Sequence, residues 1–81
     1  MGRINNDSEN QRRNVMQPHQ QRVVDELKEL QERLDKLHAF ISSDNFDEIV
    51  NDEYECQRLI YQRHCMQQYA FALQDRIANF K

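Results

Sequence analysis

Apolar residues recur along this chain in two ladders that alternate steps of three and four positions, the spacing of one face of a helix. The first ladder comprises Val23, Leu27, Leu30, Leu34, Leu37 and Ile41, and the second comprises Cys56, Leu59, Arg63, Met66, Ala70, Leu73, Ile77 and Phe80. Two such stripes in one short chain must cover each other. The pattern therefore predicts an all-α fold, an antiparallel two-helix hairpin that resembles a coiled coil.

Polar residues set the predicted ends of the first helix and the connection. Pro18 suits a first helical turn, where its missing N–H is not needed. We expect the first helix to run from there to about Ser42, where side chains begin to compete with the helix backbone. Phe46 and Ile49, three positions apart, then predict a short helical turn that plugs the end of the hairpin.

The second long helix is expected to start at a cap formed by Asn51 or Asp52. It contains no interior glycine or proline and should run to within a residue or two of Lys81. In the antiparallel register Arg63 falls within the apolar seam. We expect its side chain to reach the edge of the seam and contact an acid such as Asp35.

The chain holds more apolar surface than one hairpin can hide. The residues that lie off the two ladders are Tyr54, Ile60, Tyr61, Cys65, Tyr69 and Phe71 on the second long helix, with Val24 and Phe40 on the first. A domain of this size is marginal without extra support. We therefore predict that hairpins associate into a homo-oligomeric helix bundle through this second apolar surface.

Composition divides the 81 residues into two parts. Residues 1–16 are mostly polar and are expected to form a disordered or partner-dependent arm, whereas residues 17–81 form the hairpin domain. Cys56 and Cys65 lie on one predicted helix, too far apart for a disulfide. No stretch resembles a signal peptide or a membrane span, so we expect a protein of a reducing cytoplasm without membrane contact.

Charge is unevenly distributed along the chain. Residues 42–56 contain six acids and no base, whereas residues 57–81 contain four bases and one acid. The hairpin is thus predicted to have an acidic turn and a more basic open end. Duplex nucleic acid is disfavoured as a partner because it selects a basic stripe along a whole element.

The residues that carry catalysis in other proteins do not form a known pattern here. Gly2 is the only glycine, which excludes a glycine-rich phosphate loop. His64 and Cys65 are adjacent on a helix and point about 100° apart, so they cannot act as base and nucleophile within one chain. The spacings of cysteine, histidine and acidic residues match neither a zinc nor a calcium site. We expect no enzymatic activity, no metal and no cofactor.

The open end of the hairpin is the predicted ligand-binding site. The antiparallel register brings together Arg22, Tyr69 and Arg76, with His19, Arg12 and Arg13 nearby. Arginine binds phosphate in a bidentate manner, and a tyrosine ring offers a surface for a base to stack upon. The alternative is structural: an ordinary helix pair between Arg22 and Glu26, and a solvated Arg76.

The combined pattern resembles a family of small proteins from crAss-like and other tailed phages. The resemblance covers about residues 17–80 and is carried by the run HQQRVVDELKELQERLDKLHAFI at 19–41 and by Phe46, Glu53, Leu59, Ile60, Gln62, Met66, Tyr69, Leu73, Arg76 and Ile77. It implies a phage accessory protein built from two long helices. In architecture alone it is similar to viral sponges, oligomeric hairpins that sequester the cyclic-nucleotide signals of CBASS and Thoeris defence.

These observations lead to three hypotheses of function. The first is an oligomeric phage protein that sequesters a small anionic cyclic-nucleotide immune signal in the host bacterial cytoplasm. The second is a helical adaptor that binds a host protein through its exposed apolar surface. The third is a structural coiled-coil protein of the phage.

Overall fold

A computed structural model describes residues 16–81, and all regular structure in this range is helical. The elements are α1 (Pro18–Ile41), α2 (Phe46–Val50) and α3 (Glu53–Ala78). The two long helices pack against each other as an antiparallel hairpin, and α2 closes the connection. The predicted fold class is confirmed. The predicted arm lies outside the described residues, apart from Met16.

Every member of the two ladders is buried or half-buried, as the spacing predicts. The central cluster contains Val23 and Leu30 from α1 with Ala70 and Leu73 from α3. Leu73 is the most enclosed, at 1% exposure. Leu27, Met66, Ile77 and Phe80 pack around the cluster, and the last two extend it towards the open end.

The predicted helix ends agree closely with the structure, with one small difference. Asp52 caps α3, because its carboxylate accepts from the backbone N–H of Tyr54 at 3.0 Å and of Glu55 at 3.2 Å. At the other end α3 stops at Ala78, three residues before Lys81, instead of one or two. Asn79 ends the helix there, since its side-chain amide donates to the backbone carbonyl of Asp75 at 2.8 Å.

The connection uses one aromatic residue that the sequence pattern assigned elsewhere. Phe40, expected to lie off the seam as spare apolar surface, packs edge-on against Phe46 with ring centroids 5.2 Å apart. Phe46 is buried, whereas Ile49 is exposed, so only half of the predicted plug enters the core. The edge-to-face pair is the favourable geometry for two rings, and it closes the turn end of the hairpin.

Arg63 occupies its predicted seam position but takes a different partner. Its Nη1 lies 3.3 Å from Nδ1 of His38, and not against Asp35 as expected. Arginine has no acceptor, so His38 accepts this hydrogen bond. His38, which follows Leu37 of the opposing ladder, thereby provides a hydrogen-bond partner for the half-buried Arg63 side chain.

Candidate functional site

The residues predicted to bind a ligand share one face of the hairpin. At 3.6 residues per turn, Tyr69 and Arg76 lie on the same side of α3, and Arg22 lies on the corresponding side of α1. We call these three residues the arginine face. All three are exposed, Tyr69 at 44%. His19 is also exposed, whereas Arg12 and Arg13 lie outside the described residues.

The arginines of this face are not engaged by the described part of the protein. Within residues 16–81 the ion pairs are Glu29–Arg33 at 3.7 Å and Glu55–Arg58 at 2.8 Å. Neither Arg22 nor Arg76 belongs to these pairs, so the structure does not show the helix pair of Arg22 with Glu26 that was the structural alternative. No hydrogen bond among the described residues joins Arg22, Tyr69 and Arg76 either. They share a face without forming a pre-built pocket.

A concave surface lies on the opposite face of the hairpin. We call it the glutamine groove, and its volume is about 600 Å³. Its lining residues come from both long helices: Gln31, Leu34, Asp35, Gln67, Ala70, Phe71 and Gln74. Leu34 and Ala70 belong to the apolar seam and form its floor, while Phe71, at 60% exposure, stands at its edge.

The glutamine groove combines an aromatic ring with three side-chain amides. Each amide carries donors and an acceptor, and such groups can pair with the edge of a nucleobase. An exposed aromatic ring is the usual stacking surface for a base. The charged lining residue is Asp35, whereas Arg63, one turn before Gln67 on α3, is bonded to His38 and does not line the groove. The arrangement can hold a planar polar molecule.

The glutamine groove is not predicted from the sequence when positively charged side chains are taken as the sign of a ligand site. The available signal was weak: Gln67 and Gln74 are seven positions apart on α3, with Phe71 between them. This spacing places all three on one side of a helix. Nothing in the sequence alone shows that Gln31 of the other helix lines the same space.

A second, smaller groove at the turn has the opposite character. It measures about 390 Å³ and is lined by Asp47, Asn51, Asp52, Glu53 and Cys56. Three carboxylates at one place repel a phosphate-bearing ligand. No group of three or more histidine, cysteine or acidic side chains among residues 16–81 is arranged to hold a metal ion.

Tyr61 and Cys65 lie one turn apart on α3, and both side chains are exposed. The nearby Cys65 thiol raises the pKa of Tyr61 above its usual value.

Comparison with known families identifies the chain. A family model for Sequestin matches residues 17–79, which is nearly the whole of the hairpin. The chain belongs to the Sequestin family. The match spans both the arginine face and the glutamine groove of this Sequestin family member, and it begins directly after the arm.

Comparison with curated proteins gave no match. Comparison with solved structures gave none either. None of the helices described in this family member is long and apolar enough to cross a membrane.

Proposed function

We propose that this protein binds and sequesters a small anionic cyclic-nucleotide immune signal in the cytoplasm of a bacterial host, as a phage accessory protein. The observation that carries the proposal is membership of the Sequestin family over residues 17–79, since the family name denotes sequestration. Sequestration requires binding alone. The proposal therefore includes no enzymatic activity and no cofactor.

Two surfaces support the capture of such a ligand. The arginine face offers Arg22 and Arg76 for phosphate, with the exposed ring of Tyr69 two helical turns from Arg76 on the same side of α3. The glutamine groove offers amides and Phe71 for a base. In an oligomer, a ligand can contact one surface of one copy and another surface of its neighbour. Oligomerisation is therefore part of the proposal, supported by the exposed apolar residues of α3.

Isothermal titration against cyclic dinucleotides, cyclic trinucleotides and cyclic ADP-ribose isomers tests the proposal directly. We expect at least one of these to bind, and chromatography of the released ligand should recover it unchanged. A complete lack of heat at millimolar ligand would contradict sequestration, and conversion of the ligand would contradict a role in binding alone.

Paired variants locate the ligand. The double variant Arg22→Ala/Arg76→Ala removes the arginine face, and Arg33→Ala is its control because Arg33 is an exposed arginine already paired with Glu29. Loss of the phosphate contacts should raise Kd at least about tenfold, equivalent to about 1.4 kcal/mol. The control should leave Kd unchanged.

The glutamine groove is tested with Gln67→Ala and Phe71→Ala. Gln57→Ala is the control, since Gln57 is an exposed glutamine of α3 that is not among the lining residues and lies ten positions, about 15 Å along the helix, before Gln67. A ligand seated in the groove loses stacking with Phe71→Ala, which costs about 1 to 3 kcal/mol. If neither the arginine-face variant nor the groove variants weaken binding more than their controls, the ligand binds at neither surface.

A helical adaptor that binds a host protein is the alternative function. The exposed side chains of Tyr61 and Phe71 favour it, because a partner helix could cover them. It predicts a monomer that gains helix protection only when a host protein is added. A structural coiled-coil role in the phage particle instead predicts that the protein copurifies with virions.

A further inference from the structure

Unsatisfied apolar surface is concentrated on one of the two long helices. Within residues 16–81, the exposed large apolar side chains on α3 are Tyr54, Ile60, Tyr61, Tyr69 and Phe71, whereas α1 has none. The side of α1 that faces solvent is polar, as in an outer helix. A helix with apolar residues on several sides belongs in the interior of an assembly. Further copies of the chain are therefore expected to pack on α3.

A second helical stripe runs along α3 on the side away from α1. It consists of Tyr54, Tyr61, Cys65 and Ala72, and we call it the tyrosine seam. The spacings of seven, four and seven positions keep these residues on one side of the helix. Tyr54 and Tyr61 are 71% and 68% exposed, so the hairpin itself leaves this stripe uncovered.

We propose that two copies of this chain pack their α3 helices antiparallel through the tyrosine seam. The seam is symmetric about its midpoint, so this register sets Tyr54 opposite Ala72 of the second copy. It also sets Tyr61 opposite Cys65 of the second copy. Each large ring then faces a small side chain, which is the complementarity that close packing needs. The inference deepens the oligomerisation included in the proposed function.

Charge selects the antiparallel orientation. Residues 42–56 contain six acids and no base, and residues 57–81 contain four bases and one acid. A parallel pair would place the two acidic connections side by side. The antiparallel pair places Arg76 of one copy beside the connection of the other, where Asp47 and Asp52 lie. This complementarity favours a second copy over an unrelated partner helix.

Disulfide formation tests the register, with Cys56→Ser as the background to remove the other thiol. Introducing Tyr61→Cys places a thiol opposite Cys65 of the second copy. We expect mild oxidation to give a covalent dimer. The background protein should not cross-link, because its two Cys65 residues are about one helical turn apart along the axis, beyond disulfide reach. Tyr61→Cys/Cys65→Ser should not cross-link either.

The controls separate the possible arrangements. Efficient cross-linking of the background protein, or of Tyr61→Cys/Cys65→Ser, would show identical residues facing each other and would overturn the antiparallel register. Phe71→Cys, on the groove side of α3, should not pair with Cys65. Cross-linking of that variant in place of Tyr61→Cys would assign the interface to the groove and overturn the proposal.

Sedimentation provides a readout that needs no cysteine substitution. The wild-type protein should sediment as a dimer or larger assembly, Tyr61→Glu should lose the α3 pairing, and Phe71→Glu should retain it. Circular dichroism confirms that each variant stays helical. A wild-type monomer at micromolar concentration would overturn the dimer. These measurements contain no nucleotide, so failure of the nucleotide titration leaves the proposed interface intact. Ligand binding by a monomer would overturn the interface and the oligomerisation but would leave sequestration of the ligand intact.

Discussion

At the scale of single residues, polar side chains decide where the helices start and how they align. Asp52 satisfies two backbone donors that would otherwise have no partner at the start of α3. Arg63 interrupts an otherwise apolar ladder and bonds to His38 of α1. A polar residue at one seam position disfavours other registers at a cost in stability.

Asp52→Ala should lower the free energy of unfolding by about 1 kcal/mol, because the first turn of α3 loses its cap. Thermal or urea unfolding measures the change. Asp44→Ala is the matched control, since it removes an exposed acid of the same connection that does not cap a long helix. Equal losses from both variants would mean that charge, and not capping, explains the effect.

Arg63→Leu should raise the thermal midpoint, since an apolar side chain replaces a half-buried cation and fills the seam. The same change should weaken the specification of register, which would appear as additional peaks in an NMR amide spectrum. Arg58→Leu is the control on an exposed side of α3. A lower midpoint for Arg63→Leu would show that the bond to His38 outweighs the gain in apolar packing.

At the scale of the elements, the two ends of the hairpin are closed by different means. The edge-to-face rings of Phe40 and Phe46 close the turn end. Gln20 closes the open end, where it is buried at 8% exposure. Its Oε1 accepts from the backbone N–H of Gln17 at 2.9 Å, and its Nε2 donates to the carbonyl of Lys81 at 3.3 Å. One side chain thus holds the start of α1 and the C-terminal residue together.

Gln20→Ala should open this end without unfolding the rest of the hairpin. Hydrogen exchange should show lower protection in residues 76–81, because the buried tether between the two elements is lost. Gln21→Ala is the control, since Gln21 is exposed and its side-chain amide donates to Asp25 within its own helix. Unchanged exchange in Gln20→Ala would mean that Ile77 and Phe80 hold the end by apolar packing alone.

The elements themselves were largely predictable, and some of their contacts were not. Pro18 and the cap at Asp52 are local signals, so both helix starts followed from the sequence. Gln20 lies three positions before Val23 and therefore continues the first ladder. Because the ladder is defined by apolar residues, a polar residue at this position is not predicted to be buried. The partner of Arg63 was predicted wrongly because Asp35 and His38 are both within reach of a long side chain, and only the packed structure selects between them.

At the scale of the whole molecule, the enclosed core is too small for high stability. The buried apolar side chains within residues 16–81 are Val23, Leu30, Phe46, Ala70 and Leu73. In a single copy, burial of these side chains is the main contribution to the free energy of unfolding. Association should therefore contribute much of the stability.

The thermal midpoint should therefore rise with protein concentration. Circular dichroism melts across roughly a hundredfold range of concentration measure this effect, which mass action requires of any fold stabilised by association. The comparison is Tyr61→Glu, whose midpoint should depend less on concentration. A midpoint independent of concentration in the wild-type protein would show that one copy is stable by itself.

The sequence by itself determined the hairpin and, closely, its helix ends, because these depend on the periodic placement of apolar side chains and on local capping. The tertiary structure decided which residues outside the two ladders pack against another helix. Phe40 packs on Phe46 at the turn end, Ile49 stays exposed, and glutamines of two helices line one groove. Spacing along one helix specifies a face but not what packs against it, so contacts between distant residues appear only when both helices are in place.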